Sequence, residues 1–330
     1  MNFCTYFDSY YLLKGMALYL SLEKVTDNFH LYVMAFDKEC YDKLKSFGFK
    51  HMTVELLEDF ETPELLAVKP TRTKAEYCWT AGPSVIWYFL QKYNLPNITY
   101  LDSDLYFVGD PQVVFEEIGE RSIAITEQGT SKKSESLYGK YCVQYLYFKN
   151  DEEGCDALKW WRDSCIKWCY QRFENGLYAD QKYLDQFPVR YHNLCVISNL
   201  GAGIAPWNMH KYSYRDNSIT FEGKDYGCVF IHMHGLKMDI SNTLLSIRSY
   251  DDVITKDDKE AYYNRYAEIV QEVLRTYLNI NVESYIVEGI GTSRRLYYKL
   301  RAAFRNVKVV QWLYFKVFKR TYQGHGTKLS

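Results

Sequence analysis

The sequence predicts one α/β domain, a mostly parallel sheet flanked by helices, followed by a basic helical extension. Three observations carry this. Strand-like and helix-like segments alternate through the first half, the order of βαβ units. The strand-like runs are apolar on both sides, as strands covered on two faces are. Residues 289–330 hold ten Lys or Arg and no Asp or Glu.

Asn2–Phe7 reads as the first strand. Tyr10–Lys24 follows as a helix whose Leu12, Leu13, Met16, Leu18 and Leu20 make an apolar face. Phe29–Phe36 is a strand, Lys38–Phe47 a helix stopped by Gly48, and His51–Leu56 a short strand. Thr73–Tyr93 is a long helix, and Asn97–Leu101 a strand that runs into Asp102. Ser122–Thr126 and Cys142–Phe148 are strands, Glu152–Arg172 a helix, Asp180–Leu184 a short helix, Cys228–His232 a strand and Lys256–Tyr277 an amphipathic helix. Residues 1–280 are expected to form the domain and 281–330 the extension, with the boundary near Asn279–Thr292.

The 330 residues are 47% hydrophobic and 25% charged, the profile of an ordered globule with a sizeable core. The 32 Tyr suit stacking on sugars and bases, and suit a simple compositional bias as well. Nine Cys lack framework spacing and no apolar leader precedes Asn2, so reduced thiols and a cytoplasmic setting are expected. No apolar run approaches the roughly 20 residues of a spanning helix. The net charge of -1 hides an asymmetry: outside residues 289–330 there are 30 basic and 41 acidic residues, a balance of -11.

Asp102-Ser103-Asp104 sits at a strand end, where sites in such sheets gather. Two carboxylates one residue apart can converge on a hard divalent cation, Mn²⁺ or Mg²⁺, which keeps positions open for phosphate oxygens. A bare Asp-x-Asp is also a common solvated turn. Phe230-Ile-His232-Met-His234-Gly235-Leu-Lys237 offers imidazoles for such a metal, a glycine for close approach and a point charge for phosphate. One core and one surface histidine would look the same. Asp180-Gln181 reads either as a helix N-cap or as a pair beside a reacting sugar. Trp207, in Gly201-Ala-Gly-Ile-Ala-Pro-Trp207-Asn, either walls a sugar pocket or caps the core. Cys155, Cys165 and Cys169 lack the partners of a tetrahedral zinc site, and no phosphate-binding glycine loop of the GxxxxGK[ST] type occurs. The tail interleaves basic residues with Leu296, Tyr297, Phe304, Trp312 and Phe315, which suits an anionic membrane surface. A docked terminal helix is the alternative, and nucleic acid, the least favoured, is not expected as a partner.

The order Thr5…Asp8-Ser-Tyr10, Lys74-Ala-Glu-Tyr77…Pro83, Tyr100-Leu-Asp102-Ser-Asp104, Asp180-Gln181, His232-x-x-Gly235 resembles the GT-A-fold glycosyltransferases. It is most similar to glycosyltransferase family 8 and its bacterial relatives in surface-polysaccharide assembly, over about residues 1–240. The resemblance implies a GT-A-like (Rossmann-like) sheet and a retaining transfer from a UDP-sugar to a glycan or lipid-linked acceptor. It implies that Asp102, Asp104 and His232 bind the metal, and that Thr5, Asp8 and Tyr10 hold the nucleoside with Lys74 near the donor. Ser103, Gly235 and Lys237 would lie at the diphosphate, and Asp180 and Gln181 at the reacting sugar. Two departures stand out. Cys142-Val-Gln144 replaces Asn-x-Gly, so Gln144 would crowd or re-shape the donor pocket. The histidine motif is shortened, so His234 would compete with His232. A catalytically degenerate binding module and a sugar-nucleotide pyrophosphorylase are the rival readings. The latter lacks its glycine-rich loop at Tyr6–Tyr11.

Overall fold

The computed structural model describes residues 1–289 apart from 216, 241–242, 248–255 and 283–284. Ten of its strands are β1 (Asn2–Phe7), β2 (His30–Ala35), β3 (Met52–Leu56), β4 (Asn97–Leu101), β5 (Leu105–Phe107), β6 (Ile123–Glu127), β7 (Tyr141–Lys149), β8 (Leu194–Ile197), β9 (Ala202–Ile204) and β10 (Phe230–His232). Seven of these form the central sheet in the order β3-β2-β1-β4-β7-β6-β8. Only β7 runs against the others, pairing antiparallel with β4 and β6.

The period-2 alternation of strand side chains divides the core between the two faces of this sheet. Phe3 and Phe7 of β1 point to one face, where α1 (Leu12–Val25), α2 (Lys38–Phe47) and, much later, a helix at 264–276 pack. Cys4 points to the other, where α3 (Lys74–Lys92) and α4 (Glu152–Lys167) supply Tyr77, Val85, Phe89 and Trp161. Local chemistry sets most boundaries. Asp37 caps α2 by accepting from the Cys40 amide, and Gly48 ends it at φ +65°. Thr73 and Glu76 close a capping box on α3.

The expected parallel α/β sheet is present, with three boundary corrections. The helix expected from Tyr10 begins at Leu12, because the Tyr11 amide is drawn into a turn onto Asp8. The helix expected to reach Arg172 ends at Lys167. Its last carbonyls are taken by distant side chains: the Tyr183 hydroxyl donates to Ser164 and Trp168, and Arg72 donates to Ile166. Lys256–Tyr277 is not one regular helix. A wide turn at Lys259–Tyr263 interrupts it before α5 (Asn264–Thr276), and the added residue lets Tyr262, Tyr263 and Tyr266 all be buried.

The chain divides into a compact unit, Met1–Val287, and a segment from Glu288 onward. The proposed membrane-associating tail, residues 290–330, lies outside the described residues. Among the described residues no helix is long and apolar enough to cross a membrane.

Candidate active site

Parallel strands deliver their ends to one edge, so β1, β2 and β4 place Asp8, Asp37 and Asp102 together there. Asp102-Ser103-Asp104 is a tight turn, with the Leu105 amide donating to the Asp102 carbonyl at 3.1 Å. β10 then pairs antiparallel with β5, His232 opposite Leu105, and the Met233 amide donates to the Asp104 carbonyl at 2.9 Å. This register brings two segments 128 residues apart to a common point. His232 Nε2 lies 3.0 Å from Asp104 Oδ1 and 3.6 Å from Asp102 Oδ2. Donor atoms of Asp104, His232 and His234 all lie within 4.8 Å of one another.

The imidazole is held from behind. His232 Nδ1 donates to Gln144 Oε1 at 2.8 Å, which leaves Nε2 for the carboxylates. Gln144 is fully buried on β7, and its amide nitrogen reaches Thr126 Oγ1 at 3.4 Å. Gly203 makes room: at φ +108° it has no Cβ, and one placed there would sit 2.7 Å from Gln144 Nε2. The residue expected to re-shape the donor pocket is therefore a buried support for His232. Trp207 closes the other side, its ring centroid 5.4 Å from that of His232 and 5.3 Å from that of His234, and its indole nitrogen donating to the Gln128 carbonyl.

Charge is tightly coupled here. Burial alone would lower His232, but the Asp104 carboxylate overrides it and raises the imidazole to about 10. Burial also opposes ionisation of Asp104, yet Lys14 and His232 hold its carboxyl well below the usual carboxylate range. Asp102 goes the other way: burial and the Asp104 charge raise it, against His232 and a 2.7 Å hydrogen bond donated by the Tyr100 hydroxyl. The 3.0 Å contact between Nε2 and Oδ1 suits a shared proton. Carboxylate oxygens and an imidazole with its other nitrogen fixed form a donor set that fits Mn²⁺ or Mg²⁺ in the proton's place.

Asp180 is buried, and its carboxyl is raised to about 7 by desolvation and then by Asp102; the Asp180 and Gln181 amides offset little of this. It stands at the cap position of the turn Gln181–Gln186 but makes no capping hydrogen bond of normal geometry. Gln181 directs its amide nitrogen to Gln128 Oε1 and the Tyr138 carbonyl, both at 3.1 Å.

The remaining candidates lie apart from this cluster in character. Tyr10 is 79% exposed and packs edge-on against Tyr11. Asp8 and Lys74 form an ion pair at 2.5 Å. Thr5 is fully buried within β1, its hydroxyl without a hydrogen-bond partner among the described residues. Gly235 adopts φ +73°, and Lys237 is exposed in the strand Leu236–Asp239. Sequence reasoning missed Tyr6, whose ring stacks on Tyr100 with centroids 5.3 Å apart. It also missed Lys14, whose Nζ lies 3.3 Å from Asp104 Oδ2. A lysine among the apolar residues of α1 was the one signal available for it.

No family model matches the chain. Two curated relatives from Bacillus subtilis (strain 168), both described as uncharacterized, are similar to it. YfnF is 27% identical over 285 residues, covering 83% of this chain and 92% of YfnF. YfnD is 29% identical over 243 residues, covering 72% and 78%. Among solved structures, the galactosyltransferase LgtC in complex with donor and acceptor sugar analogs superposes with a TM-score of 0.51 at 12% identity, over 82% of this chain and 96% of LgtC. An active-site mutant of LgtC gives 0.53 at 14%, with the same coverage. The chain has the GT-A fold of glycosyltransferases.

Proposed function

We propose that this chain is a metal-dependent glycosyltransferase that moves a sugar from a UDP-sugar, with retention, to a glycan or lipid-linked acceptor in surface-polysaccharide assembly. The observation that carries the reading is the convergence of Asp102, Asp104 and His232 at the carboxyl edge of a GT-A sheet, with His232 Nε2 turned toward both carboxylates. LgtC, similar in fold, was solved with donor and acceptor sugar analogs.

Asp102, Asp104 and His232 would hold Mn²⁺ or Mg²⁺, and the ion would supply positive charge for a departing diphosphate. Tyr10 stacks on the base, while Thr5, Asp8 and Lys74 belong to the nucleoside end. Ser103, Gly235 and Lys237 approach the diphosphate by backbone and charge. Asp180, protonated below a pH of about 7, donates a hydrogen bond to a sugar hydroxyl and, once ionised, steadies positive charge at the anomeric carbon. Gln181 fixes the segment that carries it. The support for family 8, for retention and for UDP is the set of motifs from Thr5 to Gly235. Residues 281–330 are proposed as a separate extension that meets anionic lipid at the cytoplasmic face, and deletion of 290–330 should release the protein from the membrane fraction.

A thermal-shift panel of UDP, GDP, CDP and dTDP, each with and without Mn²⁺, tests the donor class. Stabilisation by UDP that requires Mn²⁺ is expected. No shift with any nucleotide in a folded sample would leave the binding-module reading in its place, and hydrolysis of UDP-sugars separates enzyme from module.

A further inference from the structure

Lys14 is 6% exposed and lies in the first turn of α1, between Leu13 and Gly15 and among buried Leu12, Met16 and Ala17. An ammonium in such surroundings is expensive unless it is paired. Its Nζ lies 3.3 Å from Asp104 Oδ2 and 4.5 Å from the centre of the Tyr11 ring. An ammonium has three N–H donors, and Asp104 is its one hydrogen-bond partner among the described residues. Asp104 divides its oxygens, Oδ1 to His232 and Oδ2 to Lys14.

We propose that Lys14 is a second cation for the nucleotide's diphosphate, shared between Asp104 and the phosphate oxygens, and that through it metal and nucleotide bind cooperatively. The inference rests on the glycosyltransferase reading of the same site. A divalent ion on Asp104 competes with Lys14 for one carboxylate, which weakens binding of metal by itself. The diphosphate offers the displaced ammonium a new anion, which restores what the metal removed. Asp102 and Asp104 cancel the charge of a divalent ion, so Lys14 is the positive charge that this cluster keeps for an incoming anion. As the acceptor oxygen bonds to the anomeric carbon and the bond from that carbon to the β-phosphate oxygen breaks, the electron pair stays on the phosphate oxygen, the hydroxyl proton passes to the released diphosphate or to water, and the Lys14 N–H groups meet the added charge. Lys237, the cation expected from the sequence, stands on an exposed strand, whereas Lys14 is already fixed against a metal-binding carboxylate.

The test is calorimetric binding of Mn²⁺ alone, and of UDP, UMP and uridine with Mn²⁺, to the full chain and to Lys14→Met, Lys14→Gln and Lys14→Arg. Melting of each variant without ligand checks folding. In Lys14→Met and Lys14→Gln, Mn²⁺ alone should bind several-fold tighter, and UDP should bind about tenfold weaker or more. Uridine should change less than twofold, and Lys14→Arg should keep most of the UDP affinity. UDP affinity within twofold of the full chain in either uncharged variant overturns the proposal and leaves Lys14 a countercharge of Asp104. Should Lys14→Met fail to fold, Lys14→Gln, which retains a hydrogen bond for Asp104, decides. A full chain that binds Mn²⁺ but no uridine nucleotide overturns the glycosyltransferase reading itself, a pattern distinct from loss confined to the Lys14 variants.

Discussion

The two ends of the candidate site are built on opposite plans. At the metal end Lys14, Asp104, His232 and Gln144 are buried and form a continuous chain of hydrogen bonds, and Tyr100 is bonded to the partly open Asp102 beside them. At the nucleoside end Tyr10 is exposed, and Asp8 is held by a surface ion pair to Lys74. The first plan fixes geometry before any ligand arrives, at the expense of tolerance: each group, left without its partner, is an uncompensated buried charge or an unsatisfied buried dipole. The second leaves Tyr10 and Lys74 free to adapt, and either can be lost cheaply. Chemistry needs placement within a fraction of an ångström, while holding a base needs only an available aromatic face.

Substitutions can break this contrast, and the largest effects belong to the aspartates. Asp102→Asn and Asp104→Asn should each lower transfer at least a hundredfold in Mn²⁺ assays with a UDP-sugar. They should differ in stability. Asp104→Asn strands Lys14 and His232 and should cost about 3 kcal/mol in urea unfolding, whereas Asp102, with a quarter of its side chain open, should cost less than half of that. Equal stability losses would count against a preorganised metal end. Next comes Gln144→Leu, which removes the support of His232 and should weaken Mn²⁺ binding roughly tenfold to a hundredfold, read by titration.

Asp180 sharpens the comparison through pH. Its carboxyl is raised from an ordinary 3.8 to about 7 in the folded protein. The unfolded chain therefore releases this proton first, so stability falls as pH rises from about 4 to about 7 and levels off above. Asp180→Asn should remove that slope and be more stable than the natural chain at pH 8, by an amount on the order of a few kcal/mol. Urea midpoints at pH 5 and pH 8 measure it, and parallel profiles for the two proteins would contradict the assigned burial. The smallest effect is Tyr10→Ala. It should weaken nucleotide binding by about 1–2 kcal/mol with no change in melting temperature.

The same division governs what was legible in the sequence. β1, β2 and β4 announced themselves by apolar runs, and Asp102 and Asp104 by following one of them, because local pattern determines both. Cys228–His232 was readable as a strand, but β5 and β9 span three residues each, too short for any period to register, and their pairing with β10 is what carries His232 to Asp104. The end of α4 was unreadable because Tyr183 and Arg72, far along the chain, satisfy its carbonyls. Gln144 stands out in the sequence only as a departure from a pattern. Its contact with His232 spans 88 residues, and no spacing rule reaches that far. Lys14 is silent in the sequence because a lysine in an amphipathic helix is ordinarily solvated, and only the fold reveals that this one faces a carboxylate.

The room that Gly203 leaves for the Gln144 amide has an evolutionary corollary. Any side chain at 203 would push against that amide and turn it away from the imidazole, so neither position can change alone without disturbing a third residue on another strand. Positions 144, 203 and 232 should therefore be inherited as a set: a smaller residue at 144 removes the clash but not the backbone demand of φ +108°, so the glycine should persist in either case and be held most strictly where the glutamine is kept.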